Sequence, residues 1–392
     1  MQEAARPSRE ISVLMLSLDR GLLGSSGDGG DVRERHMRYA EQVRSLDIVV
    51  FGGERGMTKQ LSDKLTIHAT GGRGLGMIFA ARRLVRSVLG AKQMHLIVAQ
   101  DPHVAGWVGL WAKKRFHLPL LVHLHGDFLK NRHWRNERWF HLIFAVLQPH
   151  ILRQADGVRA VSTAIQEKLV SLGIPRGKVT LISTPVDEAV FLTSDEKQQV
   201  RIEELRYKYA GKFIALFVGR LESAKNIFFM IDVLERLRRK KKEIVLLMIG
   251  EGSLREQIKV AIKNRRLEGD VHMLGPKDHA ELGVYYRLAH AVLLLSTNES
   301  FGKVIIEAGL CGTPTLASQT AGAAYIIEDG KTGFIVSVND LDATVDVLDE
   351  MIDYPEGVKL LGMNAREVYK ARYTSERSVQ KIVELWASLA RA

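Results

Sequence analysis

The sequence predicts an α/β protein built from two doubly wound parallel sheets. Short apolar runs alternate with longer helical patterns through nearly the whole chain. Several of those runs are apolar on both faces, as strands are when helices cover both sides of a sheet. The rhythm breaks at a polar, charged stretch, 193–199, and then starts again. In the first half the runs at 11–18, 47–51, 95–99, 119–124 and 158–161 read as strands, with helical periodicity at 77–89 and 164–172 between them. In the second half 213–218, 244–249, 271–274, 291–295 and 315–318 read as strands. Helical patterns at 227–237, 254–262 and 280–288 separate them. The expected domains are residues 1–192 and 193–372, with a closing helix, 373–392, long enough to pack back onto the first.

The composition agrees. The chain has 392 residues, two or three domains' worth, and its 46% hydrophobic and 26% charged residues exclude wholesale disorder. Lys and Arg outnumber Asp and Glu by 56 to 45, a net charge of +11. A basic surplus admits three partners: nucleic acid, an anionic membrane surface, or a phosphate-bearing substrate. The one cysteine, Cys311, allows no internal disulfide, which suits a reducing compartment. The apolar run at 11–18 follows Arg9 and Glu10 and stops at Asp19, too short for a secretory signal. No stretch approaches the roughly 18 apolar residues of a membrane span. A cytoplasmic chain is expected.

Three strand-to-helix loops of the second half hold the chemistry. The first reads Phe217-Val218-Gly219-Arg220-Leu221-Glu222-Ser223-Ala224-Lys225-Asn226. A strand ends at Gly219 and a helix starts near Asn226. Arg220 and Lys225 therefore share a loop at a strand's carboxyl end, the usual ligand position in an open parallel sheet. Two cations there can neutralise a diphosphate, Arg as a planar fork and Lys as a point charge. A plainer account pairs Arg220 with a carboxylate and leaves Lys225 in solvent. The second loop is Gly250-Glu251-Gly252, and a lone G-x-G is weak evidence.

The third loop reads Ser296-Thr297-Asn298-Glu299-Ser300-Phe301-Gly302-Lys303, leading into a helix that carries Glu307. Ser300 is expected as the N-cap, with the helix ending near Cys311 and Gly312 and Pro314 as stop signals. Backbone N–H groups around Phe301, Gly302 and Lys303 then point out of a helix N-terminus, which attracts anions. Glu299 belongs to the loop, and Glu307 lies about one turn beyond Lys303. A capped helix with two solvated glutamates fits the same residues.

Together these residues resemble the retaining glycosyltransferases of the GT-B fold, specifically glycosyltransferase family 4 (the group 1 glycosyltransferases). The resemblance rests on Gly219-Arg220 with Lys225-Asn226, on Gly250-Glu251-Gly252, and on Glu299-Ser300-Phe301-Gly302 with Glu307-Ala308. The last is the family's pair of glutamates with seven residues between them. Gly312-Thr313-Pro314 and Asp329-Gly330-Lys331-Thr332-Gly333-Phe334 follow in family order. The resemblance implies two Rossmann-like doubly wound domains facing each other across a cleft. It implies a nucleotide-diphosphate sugar of UDP or GDP type on the C-terminal domain and an acceptor on the N-terminal one. Arg220 and Lys225 then stabilise the departing diphosphate, Glu299 holds donor-sugar hydroxyls, and Glu307 holds the ribose hydroxyls. Gly219, Gly250, Gly252, Ser300, Phe301, Gly302 and Lys303 complete the donor site. No metal and no cofactor is implied, because these cations do the work of Mg²⁺.

The first half matches less closely. Gly21, Gly24, Gly27, Gly29 and Gly30 form a loop before a helix at 32–43, longer than the family's glycine-rich turn. Gly29 and Gly30 are the donor-site candidates within it, and a surface loop is the competing account. His123-Leu124-His125-Gly126-Asp127 ends a strand as the family's active-site histidine does, which makes His125 a candidate to contact the donor sugar. A lone histidine there is more often structural. Ala155-Asp156-Gly157 through Ser162 also resembles the family pattern. Ser183-Thr184-Pro185-Val186-Asp187 stands where the family usually has Asn-Gly-Val-Asp.

The positive charge is uneven. Lys130, Arg132, Arg135 and Arg138 interleave with His133, Trp134, Trp139 and Phe140, and Lys113, Lys114 and Arg115 lie close in sequence. Basic and aromatic residues beside an apolar stretch suit an anionic membrane. The region 113–140 is therefore a candidate contact with the inner face of the cytoplasmic membrane, presenting a lipid-linked acceptor. A buried helix behind a solvated entry loop is the alternative. The run 236–242 falls at a helix C-terminus, where cations favour the dipole, and is expected to be solvated. The function these residues point to is retaining, metal-independent transfer of a hexose-type sugar to a glycan or lipid-linked acceptor, in cell-envelope polysaccharide or glycolipid biosynthesis. A nucleotide-sugar hydrolase or epimerase on the same fold is a second reading. A nucleic-acid-binding protein is the non-enzymatic one, with no helix-turn-helix, zinc or RNA motif behind it. A dehydrogenase is weaker still, since no G-x-G-x-x-G follows the first strand in register.

Overall fold

The computed structural model describes residues 7–24, 32–72, 74–126 and 140–390. The chain forms two compact units, Met1–Pro185 with Glu376–Ala392, and Val186–Ser375.

Unit 1 holds eight strands: β1 (Ser12–Ser17), β2 (Ser45–Val50), β3 (Thr58–Ser62), β4 (Leu65–Ala69), β5 (Leu96–Ala99), β6 (Leu120–Leu124), β7 (Gly157–Ala160) and β8 (Val179–Leu181). They lie in the order β3-β4-β2-β1-β5-β6-β7-β8. Only β3 runs antiparallel, against β4. Helices α1 (Val32–Glu41), α2 (Leu75–Ala91), α3 (Val104–Phe116), α4 (Phe140–Gln154) and α5 (Thr163–Ser171) connect the strands. β1, β5 and β6 are buried throughout because Val, Leu, Ile and Ala fill both faces. β3 and β4 escaped the sequence reading, and β3 shows why: Thr-Lys-Gln-Leu-Ser is a half-exposed edge with no apolar run.

Unit 2 has six parallel strands: β9 (Phe213–Val218), β10 (Ile244–Ile249), β11 (Val271–Gly275), β12 (Ala291–Leu294), β13 (Thr315–Ser318) and β14 (Gly333–Val336). Their order is β11-β10-β9-β12-β13-β14. The winding reverses between β9 and β12, so the loops after those two strands open on the crevice where such sheets bind ligands. Its helices are α6 (Glu188–Leu192), α7 (Glu196–Lys208), α8 (Ile227–Arg239), α9 (Arg255–Asn264), α10 (His279–Leu288), α11 (Lys303–Leu310), α12 (Ala321–Ile326), α13 (Leu341–Asp353) and α14 (Pro355–Arg372).

The polar stretch at 193–199 is not a junction between units. Asp195 caps α7 by accepting from the Gln198 amide at 2.8 Å, and the Phe191 ring of α6 lies 5.7 Å from Tyr286. A solvent-facing helix start reads like a linker in sequence. The final helix, α15 (Ser375–Leu389), buries Val379, Ile382, Val383 and Trp386 in the core of unit 1 with Leu46 and Leu121. Gly157 leaves room for it: a Cβ there would stand 2.8 Å from Leu389 Cδ1.

The run 236–242 ends α8 on the surface and meets α13. Asp342, Asp346, Asp349 and Asp353 recur on one face of α13 at a spacing of four, three and four residues. Arg236 reaches Asp342 at 3.4 Å, Lys240 reaches Asp349 at 2.9 Å, and Lys242 reaches Asp349 and Asp353 at 2.7 and 2.6 Å. The helix end is exposed, as expected, and in addition it forms an ionic ladder between two segments. Hydrogen bonds from Lys240 and Lys242 hold the Asp349 carboxyl below its usual range.

Candidate functional site

In unit 2 two loops meet at the switch point. Asn226, between the β9 loop and α8, adopts left-handed backbone angles (φ 55°, ψ 41°), which asparagine tolerates well. Its amide donates to the Leu295 carbonyl at 3.1 Å and to Asn339 Oδ1 at 2.9 Å. The Thr297 amide donates to the Ala224 carbonyl at 3.0 Å. These bonds tie the β9 loop to the β12 loop, and Lys225 Nζ consequently lies 2.5 Å from Glu299 Oε2. Both side chains are about four-fifths buried, at 19% and 17% exposure. The plain account, with Lys225 in solvent, is therefore wrong. A lysine ammonium has three N–H donors, and Glu299 occupies one of them.

Arg220 is exposed and makes no ion pair among the described residues. Its neighbour Glu222 instead receives the Ser253 amide and hydroxyl, at 3.0 and 2.7 Å. Those bonds, helped by the Arg220 charge, lower the Glu222 carboxyl below its usual range. Gly250 and Gly252 have a packing role. A Cβ on Gly250 would stand 1.9 Å from the Gly219 carbonyl oxygen, and one on Gly252 would stand 2.4 Å from that of Leu221. The G-x-G lets the β9 and β10 loops touch backbone to backbone.

The β12 loop corrects the expected cap. Ser300 is not the N-cap; α11 begins at Lys303, and Gly302 precedes it with φ 84° and ψ 57°. The left-handed turn needs glycine, and it moves the helix's orphan N–H groups into the turn that starts at Lys303. Phe301 is buried, its ring 6.4 Å from Tyr373. Gly322 packs against the Phe301 backbone, where a Cβ would stand 2.5 Å from it.

Glu307 is 5% exposed, far from the solvated state that sequence alone allows. The Tyr286 hydroxyl donates to its Oε2 at 2.9 Å, while Oε1 lies 3.7 Å from both His279 Nε2 and Lys303 Nζ. Burial alone would raise this carboxyl. The nearby His279 ring, the Lys303 charge and the Tyr286 hydrogen bond outweigh it and hold the carboxyl below its usual range. Tyr286 and His279 escaped the sequence reading, since neither belongs to a local motif.

In unit 1, Gly29 and Gly30 lie outside the described residues, as do 127–139 of the basic-aromatic region. Lys113, at the start of that region, is bonded to Asp156 at 2.5 Å. His125 follows β6, and Gln100 follows the adjacent β5. His125 Nε2 donates to Gln100 Oε1 at 2.5 Å, and the Gln100 amide nitrogen turns toward Met15 Sδ at 2.9 Å. An amide oxygen only accepts, so the His125 proton is on Nε2 and Nδ1 keeps its lone pair. Burial and then the Arg159 charge hold His125 neutral, its pKa well below the usual value.

Next to it, the β6–β7 register sets His123 opposite Arg159. Arg159 is 1% exposed and has no carboxylate partner among the described residues; it donates to the Ile182 and Ser183 carbonyls at 3.1 and 2.7 Å and to His123 Nδ1 at 3.3 Å. Burial brings its pKa down to about 10. His123, too, is kept neutral by burial and by Arg159.

A cavity of about 730 Å³ opens at the other edge of the unit 2 sheet, beside Phe213, His290 and Pro314, where strands begin. It is remote from the Lys225–Glu299 loops, and open parallel sheets bind ligands at their carboxyl ends. The site is placed at the loops.

Comparison with known proteins identifies the family and the fold. The model of "Glycosyl transferases group 1" matches residues 201–368, and that of "Glycosyltransferase Family 4" matches residues 44–190. The chain is 25% identical over 280 residues to the alpha-D-kanosaminyltransferase of Streptomyces kanamyceticus, covering 69% of this chain and 71% of that one. The sucrose-phosphate synthase of Thermosynechococcus elongatus superposes with a TM-score of 0.83 at 20% identity, over 97% of this chain and 99% of its own. Anabaena HepE, solved with UDP-glucose, superposes with a TM-score of 0.75 at 21% identity, over 97% and 100%. The two structural likenesses establish the fold.

Proposed function

This chain belongs to the group 1 glycosyltransferases and has the GT-B fold, and from that premise we propose that it moves a hexose-type sugar, with retention, from a nucleotide-diphosphate sugar to a glycan or lipid-linked acceptor. The observation that carries the reading is the 2.5 Å contact between Lys225 and Glu299 in the switch-point loops of unit 2. Arg220, exposed and without an ion pair among the described residues, and Lys225, with donors beyond the one Glu299 takes, meet the diphosphate as it leaves. Glu299 accepts from sugar hydroxyls, as a carboxylate fixed by a cation can. Glu307, ionised and braced by Tyr286, is the acceptor for ribose hydroxyls. No metal is required, because the two cations balance the leaving group's charge.

His125 in unit 1 offers its Nδ1 lone pair to a sugar hydroxyl, held in that tautomer by Gln100. A UDP or GDP donor, cell-envelope polysaccharide or glycolipid as product, and a cytoplasmic site peripheral to the membrane complete the proposal. Lys225→Ala and Glu299→Ala should each lower transfer by about 10²-fold or more in protein that circular dichroism shows to be folded. Near-normal activity in both refutes the assignment. Product analysis without acceptor separates transfer from the hydrolase reading, since a hydrolase releases free sugar at the full rate.

A further inference from the structure

Helices α2 and α3 pack side by side on unit 1. Between them they carry six cations, Arg82, Arg83, Arg86, Lys113, Lys114 and Arg115, and no Asp or Glu. Among the described residues only Lys113 has a carboxylate partner, Asp156. Aromatic rings hold several of the rest. Arg82 lies over both Trp107 and Trp111, at 5.3 and 5.2 Å from the ring centres, and Arg86 lies over Trp111 at 5.3 Å. Arg115 lies over Phe116 at 5.6 Å.

A ring orients a guanidinium through its face and leaves the edge donors and the full charge available, whereas a carboxylate would cancel the charge. Apolar side chains project from the same helices and their neighbour. Phe79, one turn before Arg82 and Arg83 on α2, is 69% exposed, and Val146 on α4, which packs against α3, is 77% exposed.

We propose that the α2–α3 face of unit 1 docks on an anionic lipid bilayer, with Arg83, Arg86, Lys114 and Arg115 at the lipid phosphates and Phe79 below them among the acyl chains. Charge complementarity selects an anionic partner. The exposed Val146 favours lipid over nucleic acid, because an aliphatic side chain gains nothing from a nucleobase, and Phe79 is a single exposed ring rather than a row of stacking platforms. The two tryptophans are already covered by arginines and cannot serve as stacking platforms. The surface shares Lys114 and Arg115 with the 113–140 region that sequence alone suggested, and adds α2 to it. It rests on the glycosyltransferase reading only for its purpose, bringing the enzyme to a lipid-linked acceptor, and the binding is measured without turnover.

The full-length protein is floated with vesicles of phosphatidylcholine alone, or of phosphatidylcholine with 30% phosphatidylglycerol, at low and high salt. A DNA duplex serves as the competing polyanion. The wild type should float with the anionic vesicles only, and salt should release it. Arg83→Gln and Arg86→Gln should each weaken partitioning by about fivefold, and Phe79→Ser should weaken it further, all at an unchanged melting temperature. Equal binding to both vesicle types, or to neither, overturns the proposal. So does wild-type binding by the Arg83→Gln/Arg86→Gln variant, or loss of binding in Arg135→Gln/Arg138→Gln while that variant is unaffected. DNA binding without vesicle binding transfers the face to nucleic acid.

Discussion

The two units differ in how they hold the polar groups around their candidate site residues, although unit 1 also pairs Asp47 with Lys92 at its sheet. In unit 2 the cations face carboxylates: Lys225 meets Glu299, Lys303 approaches Glu307, and the 236–242 run meets four aspartates of α13. In unit 1 Arg159 donates to carbonyls, the Arg82–Trp107–Trp111 stack replaces ion pairs, and His123 and His125 are held neutral. On the proposed function, balanced charge would let unit 2 exchange an internal carboxylate contact for a ligand phosphate. Neutral, buried hydrogen-bonding groups suit unit 1 to hydroxyls, and its uncompensated surface cations suit an anionic partner.

The contrast can be broken by substitution. Lys225→Ala should lower kcat by about 10²–10³, the range for removing one preorganised donor to a developing anion. Gln100→Leu should lower it by only about tenfold, with KM nearly unchanged, because it frees the His125 tautomer without removing the ring. Steady-state kinetics compares the two, and a Gln100→Leu loss as large as that of Lys225→Ala would erase the distinction between the units. Arg159→Met should destabilise unit 1 by about 2–4 kcal/mol in urea unfolding, since it leaves two carbonyls and the His123 ring without their donor.

Acidification sharpens the comparison. The His123 pKa is depressed in the folded state, so the unfolded chain binds more protons between that value and the ordinary 6.5. Its stabilisation is complete above pH 6.5 and falls below it, by up to about 1.4 kcal/mol per pH unit. His125 adds less, being partly solvent-accessible. In unit 2 the depressed acids include Glu222, Glu307 and Asp349, whose contribution is complete above their ordinary values of 4.5 for Glu and 3.8 for Asp and is lost below them. His272 and His290 are depressed as well, but less than His123 and His125. Hydrogen exchange against pH should show unit 1 loosening first. The smallest effect belongs to the ladder: Lys242→Met should shift the melting temperature by about 1–2 °C, and high salt should remove the difference.

Much of unit 2 was readable. Its first five strands are apolar runs, and Arg220, Lys225, Glu299 and Glu307 stand at fixed distances from strand ends that periodicity locates. The contacts were not. The Lys225–Glu299 pair joins residues 74 apart through the hydrogen bonds of Asn226 and Thr297. Ser300 looked like a cap by residue type, whereas the left-handed turn at Gly302 starts the helix. Gln100 had a signal in its place directly after a strand, but nothing local links it to His125. The basic run 236–242 is solvated as its sequence indicated, but its four partners lie about a hundred residues further on and could not be read from it.

By itself the sequence determined the α/β class, the repeated winding, and which residue types stand at the carboxyl ends of the strands. Those follow from local periodicity and from where Gly and Pro end an element. Only the tertiary structure decided which charges pair, which histidine is held neutral and in which tautomer, and which arginines rest on tryptophan rather than on a carboxylate. Each depends on burial and on the approach of distant segments, and a side chain's charge state and partner are set by those surroundings.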